Sequence, residues 1–303
     1  MLRVVFWLFL MVLVGFFVYQ GVVHPQLIYN RPIDRLLHPF DTKVRYKIGE
    51  IDPRFGLSRE DAKQLASEAA QIWRDGTGQD WFVYDENTRL SINFTYDERQ
   101  EITLAKQNVE KHIAQQVHHH NTQSNALASQ KQALDLEFSS LKARFDAWQV
   151  AHNSAYYRLQ HNNNPSHHAN LYVTYENTLL EKRRLDSELA AFYAKQNTYN
   201  ETVNQLNTNA DRVRQSIDEA QSKFAPRRFH KGVFDGKHIE IYEFESKDDL
   251  RLVLAHELGH ALAIGHNDDP TALMHPIMEK QNAKNFKLKA ADIAMLDNRD
   301  GIW

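Results

Sequence analysis

Between Arg99 and Lys223 the chain carries no glycine and a single proline, Pro165. A run of that length without backbone breakers is suited to long helices and to little else. Apolar residues recur at three-four spacing on both sides of the proline. Leu127, Leu134, Phe138, Leu141, Phe145, Trp148, Ala155 and Leu159 lie before it; Leu171, Tyr175, Leu185, Leu189, Phe192, Tyr199, Val203, Leu206, Val213, Ile217 and Phe224 lie after it. Between them HNNNPSHH, His161 to His168, is a polar turn. The spacing predicts an antiparallel coiled-coil hairpin over 99–224, each arm reaching on the order of 80 to 90 Å. Phe138, Phe145, Trp148, Tyr175, Phe192 and Tyr199 are expected in its core.

A hairpin brings its two feet together, so it can sit in a loop of a globular domain without breaking that domain. Elements of another kind lie on either side. VRYKI, Val44 to Ile48, reads as a strand, as do Asp80 to Tyr84 and Leu90 to Tyr96. Ser58-Arg59-Glu60-Asp61 starts a helix carrying Leu65, Ala69, Ile72 and Trp73 on one side, expected to end before Gly76 and Gly78. After the hairpin, Arg228 to Phe234 and Lys237 to Phe244 flank Asp235-Gly236, a β-hairpin signal. Ser246 then caps one more helix. The expected organisation is 41–98 and 225–303 as two parts of one α+β domain, interrupted by 99–224.

From Val4 to Val23 there is no charge and most residues are apolar, the length a helix needs to cross a bilayer. Arg3 favours a cytoplasmic N-terminus. No Ala-x-Ala site follows, so residues 1–24 are read as an uncleaved transmembrane anchor with the remainder extracytoplasmic, periplasmic or at the cell surface; the alternative is a secreted chain after signal cleavage. Residues 25–40, with Pro25, Pro32 and Pro39, are expected to be a linker. The formal net charge of -3 points to no nucleic-acid partner, and the absence of cysteine excludes disulfides, thiolate ligands and a cysteine nucleophile.

The capped helix runs into HELGHALAIGH, His256 to His266. On a helix His256 and His260 share one face, at the spacing two imidazoles need to hold one zinc. A catalytic zinc needs a third protein ligand and keeps one position for water. His266 supplies that ligand if the chain turns sharply after the helix, and Glu257 lies beside the open position. Leu252, Val253, Leu254, Ala255, Leu258, Ala261, Leu262 and Ile264 mark the helix as buried, and buried histidines need a partner.

HExxHxxxxxH followed by ALMHP, Ala272 to Pro276, resembles the signature and Met-turn of the metzincin metalloproteases, and the spacing to Met274 resembles the matrixin branch. VRYKI, AAQIW with Trp73 to Thr77, LSINF and LKAADIAMLDNRDGI resemble that branch's first strand, first helix, third strand and C-terminal helix. The resemblance implies a twisted mixed sheet with an active-site helix, one catalytic Zn2+ on His256, His260 and His266, and peptide-bond hydrolysis by a zinc-bound water with Glu257 as general base. It further implies Met274 as a floor beneath the metal and Pro276 and Ile277 as walls of the specificity pocket. The edge strand Arg228 to Phe234 would receive an extended peptide. Ala263 stands where the signature has glycine, at a cost of about 1 kcal/mol or more if that residue needs positive φ. The family's structural zinc and calcium loop would fall where this chain has its hairpin, so only the catalytic metal is expected.

The function expected is thus a membrane-anchored zinc endopeptidase acting on peptide or protein substrates. The alternative is a non-catalytic coiled-coil scaffold or envelope-protein binding arm on a retained metzincin fold; the intact Glu257 argues against it. A protein partner on the hairpin is expected in either case. His118, His119 and His120 point in different directions on a helix and form no single site, His161, His167 and His168 read as a solvated tip, and His275 as packing beside the Met-turn.

Overall fold

The computed structural model describes residues 2–225 and 229–297. The chain separates into two compact units, one from 1–107 with 226–303 and the other from 108–225.

The first unit begins with the apolar helix Leu2–Val23 (α1). Residues 25–40 are not the linker expected from their prolines. Pro25 opens a 3-10 turn, Pro25–Tyr29, and Pro32 opens the short helix Pro32–Leu37 (α2). Proline suits the first helical position, where its missing N–H has no partner to lose, so these prolines start elements rather than break them. Gln26, Leu27, Asn30 and Asp34 are buried; Gln26 donates to Thr42 O, and Asn30 donates to Lys43 O and accepts from Arg45 N.

Val44–Ile51 (β1) alternates, with Val44, Tyr46 and Ile48 facing the core. Ser58 caps the helix Arg59–Thr77 (α3) by accepting from Asp61 N. That helix does not stop before Gly76. It runs to Thr77, and Gly78 takes the left-handed conformation at φ 72°. Gly76 serves packing: a Cβ there would lie 2.8 Å from Leu288 Cβ. Phe82–Tyr84 (β2) and Leu90–Phe94 (β3) follow. After the second unit come Gly232–Phe234 (β4) and His238–Ile241 (β5). Both are shorter than expected. Arg228, the first residue of the expected edge strand, lies outside the described residues, as do residues 298–302 of the expected C-terminal helix.

The five strands of the described residues form one mixed sheet in the order β2-β1-β3-β5-β4. All neighbours are parallel except β4 on β5, where Val233 lies opposite Glu240. The edge position of β4 follows from its tight turn at Asp235-Gly236, with Gly236 at φ 88°, which permits only the antiparallel neighbour. α3 and the helix Lys247–Ala261 (α6) bury Leu65, Ala69, Trp73, Leu250, Leu254 and Leu258 with Ile48, Ile92, Ile239 and Ile241 of the sheet. Ala290–Asp297 (α7) ends the described chain.

The hairpin is built from Glu98–His161 (α4) and Pro165–Lys223 (α5), joined at Asn162–Asn164 with Pro165 in the first turn of the second helix. The start of α4 belongs to the first unit, where Gln100, Thr103 and Gln107 hydrogen-bond Phe244, Glu243 and Glu245. In the second unit Lys195 pairs with Glu137, Arg144 with Glu188, and Trp148 Nε1 donates to Thr178 O, which fixes the antiparallel direction. Leu127, Leu134, Leu141, Ala155, Leu185 and Phe192 are buried along the seam, but Phe138 and Phe145 are exposed. Two helices alone cannot wrap rings placed at the margin of their shared face.

Candidate metal centre

The strongest geometric feature of the first unit is the end of α6. Ser246 caps its start by accepting from Asp249 N, and ten residues from Leu250 to Ala261 are buried. Trp73 of α3 donates its Nε1 to Ala255 O at 2.8 Å, pinning the turn before His256. Gly259 lets this helix approach its neighbours closely: a Cβ there would come within 2.7 Å of Trp73 Cζ2 and closer still to Met274 Sδ. The helix ends at Ala261; Leu262 N donates to Gly259 O and Leu258 O, and Ala263 N to His260 O. Ala263 has φ 62°, the left-handed conformation that glycine takes without strain. The turn is therefore kept at the signature position without glycine, and it carries Ile264 and His266 back toward the helix.

The result is that His256, His260 and His266 each present a ring nitrogen within 4.8 Å of the others. Among the described residues this is the one group of three or more ligating side chains placed to hold a metal. The second ring nitrogens fix the tautomers. His256 Nδ1 lies 2.7 Å from Leu273 O and His260 Nδ1 2.9 Å from Ile264 O; carbonyls only accept, so both Nδ1 atoms carry the proton and both Nε2 atoms present lone pairs. His266 Nε2 lies 3.3 Å from His256 Nε2. Two nitrogens on one tetrahedral zinc, each at about 2.0 to 2.1 Å, are about 3.3 Å apart. The donor set, the two fixed tautomers and the His256–His266 spacing fit Zn2+.

Electrostatics point the same way. Burial, then the charge of neighbouring His260, pushes His256 down to about 3. Burial also lowers His260 and His266, the latter further through His230 and His275. Neutral imidazoles are the form that binds a metal. Glu257 is buried next to β4, with Oε2 lacking any partner, and burial pushes its carboxyl up to about 8, partly offset by the Phe234 amide. Gly232 makes room for it, since a Cβ there would lie 2.9 Å from Glu257 Cγ and Oε1.

Met274 is fully buried, against Gly259 of α6. Pro276 is exposed and Ile277 half-buried, in a turn where His275 Nδ1 lies 2.8 Å from Ile277 O. Sequence reasoning missed three contributors. Asp292 of α7 is fully buried and accepts from Leu273 N at 3.0 Å, Met274 N at 2.9 Å and Asn267 Nδ2 at 3.2 Å, so it holds the Met274 turn. Its signal was one acid inside an apolar helix. Gly232 and His230 gave no local signal at all. His118, His119, His120, His161, His167 and His168 lie on the hairpin helices, and among the described residues none of them belongs to a group of three or more ligating side chains.

Comparison with known proteins agrees with this geometry. Rat macrophage metalloelastase is 25% identical over 151 residues, 36% of this chain and 32% of its own. Human matrix metalloproteinase-16 is 50% identical over 46 residues, 15% of this chain and 8% of its own. Human matrilysin is 50% identical over 38 residues, 12% and 14%. The chain thus spans less than a third of the length of these relatives. No solved structure matches it. The Matrixin family model matches residues 39–298, and that family with the histidine triad implies one catalytic zinc. A match over most of the chain, centred on a triad with the geometry of a zinc site, shows that the protein belongs to the Matrixin family.

Proposed function

We propose that the protein is a zinc-dependent endopeptidase, held to a membrane by α1 with its first unit outside the cytoplasm, and that it cleaves extended peptide segments of protein substrates. The observation that carries this reading is the buried Glu257 carboxyl, its Oε2 without a partner, next in sequence to the first of three converging neutral imidazoles. His256, His260 and His266 would hold the zinc, which when bound supplies a Lewis acid for the scissile carbonyl and acidifies the attacking water.

The chain's own groups do the rest. β4 is the terminal strand of the sheet, so its outer edge offers backbone donors and acceptors to an extended peptide. The strand passes Gly232 over Glu257, which sets a peptide bound there beside the carboxylate. Glu257 takes the proton of the attacking water and returns it to the leaving amine; a carboxyl raised by burial is suited to both transfers. Leu273 and Ile264 hold two of the rings by their carbonyls, and Asp292 holds the turn that carries Leu273 and Met274. Pro276 and Ile277, leaving that turn, wall the pocket for the substrate side chain.

The test is a paired assay. Wild type and Glu257→Ala are compared for bound zinc and for cleavage of casein. Equal zinc with cleavage lost in the variant supports the reading; cleavage retained by Glu257→Ala refutes it.

A further inference from the structure

Among the described residues the apolar face of α2 is exposed. Ile33, Leu36 and Leu37 stand at i, i+3 and i+4, one face of the helix, and all are exposed, Leu37 at 67%. Asp34, on the other side, is buried and bonded to Arg31. Just beyond the helix Phe40 is 97% exposed. What covers this face follows from where it is fastened. Arg35 of α2 donates to Gln20 Oε1 at 3.0 Å and to Phe17 O at 3.1 Å, and its guanidinium lies 4.8 Å from the Phe17 ring centre. Gln20 Nε2 donates to Pro39 O at 3.2 Å, and Gln20 is only 3% exposed.

Gln20 and Phe17 belong to the apolar span Arg3–Val23. At 1.5 Å per residue they lie about 4.5 and 9 Å inside its C-terminal end. The segment from Arg35 to Phe40 therefore folds back along the last turns of α1, to the depth that interfacial helices occupy, about 5 to 10 Å below the headgroup boundary. Arg35 and the Gln20 amide satisfy each other there, as polar groups at that depth must.

We propose that Ile33, Leu36, Leu37 and Phe40 form a foot that rests in the lipid headgroup layer beside α1 and fixes the cleft at the bilayer surface, so that the substrates are peptide segments close to the membrane. The cleft is tied to the foot by Tyr29, whose ring packs 5.0 Å from Phe234 of β4. Tyr29 is six residues beyond Val23, so its backbone lies at most about 20 Å from the end of the span. The lipid foot rests on α1 being retained; the substrate class rests also on the endopeptidase reading above.

The chain contains no cysteine, so single sites can be labelled in the full-length protein in lipid nanodiscs. An environment-sensitive fluorophore is placed at Leu37→Cys, Phe40→Cys and, as the control, Asn87→Cys on an exposed loop. Blue-shifted emission at 37 and 40, quenched by nitroxide lipids while 87 is not, is the expected result. Water-like emission at 37 and 40 overturns the foot. A blue shift without lipid quenching also overturns it, because the face is then covered by protein, a second copy or a partner. Loss of residues 1–24 from the mature chain, read by mass, overturns it as well.

The substrate class is tested with Phe40→Ser and with the combined Ile33→Ser, Leu36→Ser, Leu37→Ser and Phe40→Ser variant. Casein in solution should be cleaved at the wild-type rate, while a peptide tethered to the nanodisc by a short linker should be cleaved at least about fivefold more slowly. Equal loss on both substrates, or on neither, overturns the membrane-proximal substrate. Failure of wild type to cleave casein or tethered peptide refutes the endopeptidase reading and leaves the fluorescence result to decide the foot.

Discussion

Ala263→Gly should stabilise the first unit. Ala263 holds φ 62° at the end of α6. A residue with a Cβ pays about 1 to 2 kcal/mol for that conformation. Glycine removes that cost but adds about 0.4 to 1 kcal/mol of freedom to the unfolded chain. The midpoints of the two ranges leave a net gain of about 0.8 kcal/mol, which for a unit of this size is about 2 to 3 °C in Tm. Scanning calorimetry of the metal-free protein is the assay. The chain has two units, so the transition of the first is identified as the one that added zinc moves upward. Ala263→Gly should raise that transition and leave the other unmoved. Ala263→Val should lower it by more than the glycine raises it, since a β-branched residue tolerates positive φ least. A fall with glycine, or no difference between glycine and valine, would refute the argument that the turn is strained.

Gly259→Ala should destabilise by about 1 to 3 kcal/mol through overpacking against Trp73 and Met274, against the usual helix preference for alanine, and should weaken zinc binding; both are read by calorimetry with and without metal. Asp292→Ala leaves the Leu273 and Met274 amides without their acceptor, and should cost about 2 to 4 kcal/mol and lower zinc affinity in a chelator competition, with Asp292→Asn intermediate. Lys231→Met should cost on the order of 3 kcal/mol in denaturant unfolding, because Lys231 bonds Asp249 at 2.9 Å and stands 3.6 Å from buried Glu243. Burial alone would lower the Lys231 pKa, but Asp249 and Glu243 outweigh it and raise it. A lysine raised in the folded state adds stability that is full below its unfolded pKa of 10.5 and is lost above it, so the difference between wild type and Lys231→Met should shrink as pH rises past that value.

The triad and the helices were legible because their signals are local. The four-residue spacing places His256 and His260 on one helix face and the six-residue spacing leaves room for a turn that returns His266 to them, while the unbroken heptad rhythm marks α4 and α5 whatever surrounds them. The turn at Asp235-Gly236 was legible for the same reason. What sequence reading lost was set by distant partners. Gly76 looked like a helix stop, but its lack of a Cβ answers to Leu288. Pro25 and Pro32 looked like linker residues, but Gln26 and Asn30 find acceptors on residues 42 and 43. Asp292 draws its meaning from two amides eighteen and nineteen positions away, and Gly232 from a carboxylate on another element. Phe138 and Phe145 fit the heptad rhythm yet lie at the margin of a two-helix seam.

Zinc occupancy and peptide cleavage measured together, on one sample of the full-length protein stripped of metal and titrated back, test the central claim most directly. The account predicts saturation at about one zinc per chain, with cleavage rising in proportion to occupancy and absent from His266→Ala. Cleavage that persists in the stripped protein, or full occupancy without cleavage of soluble or membrane-tethered peptides, would contradict it.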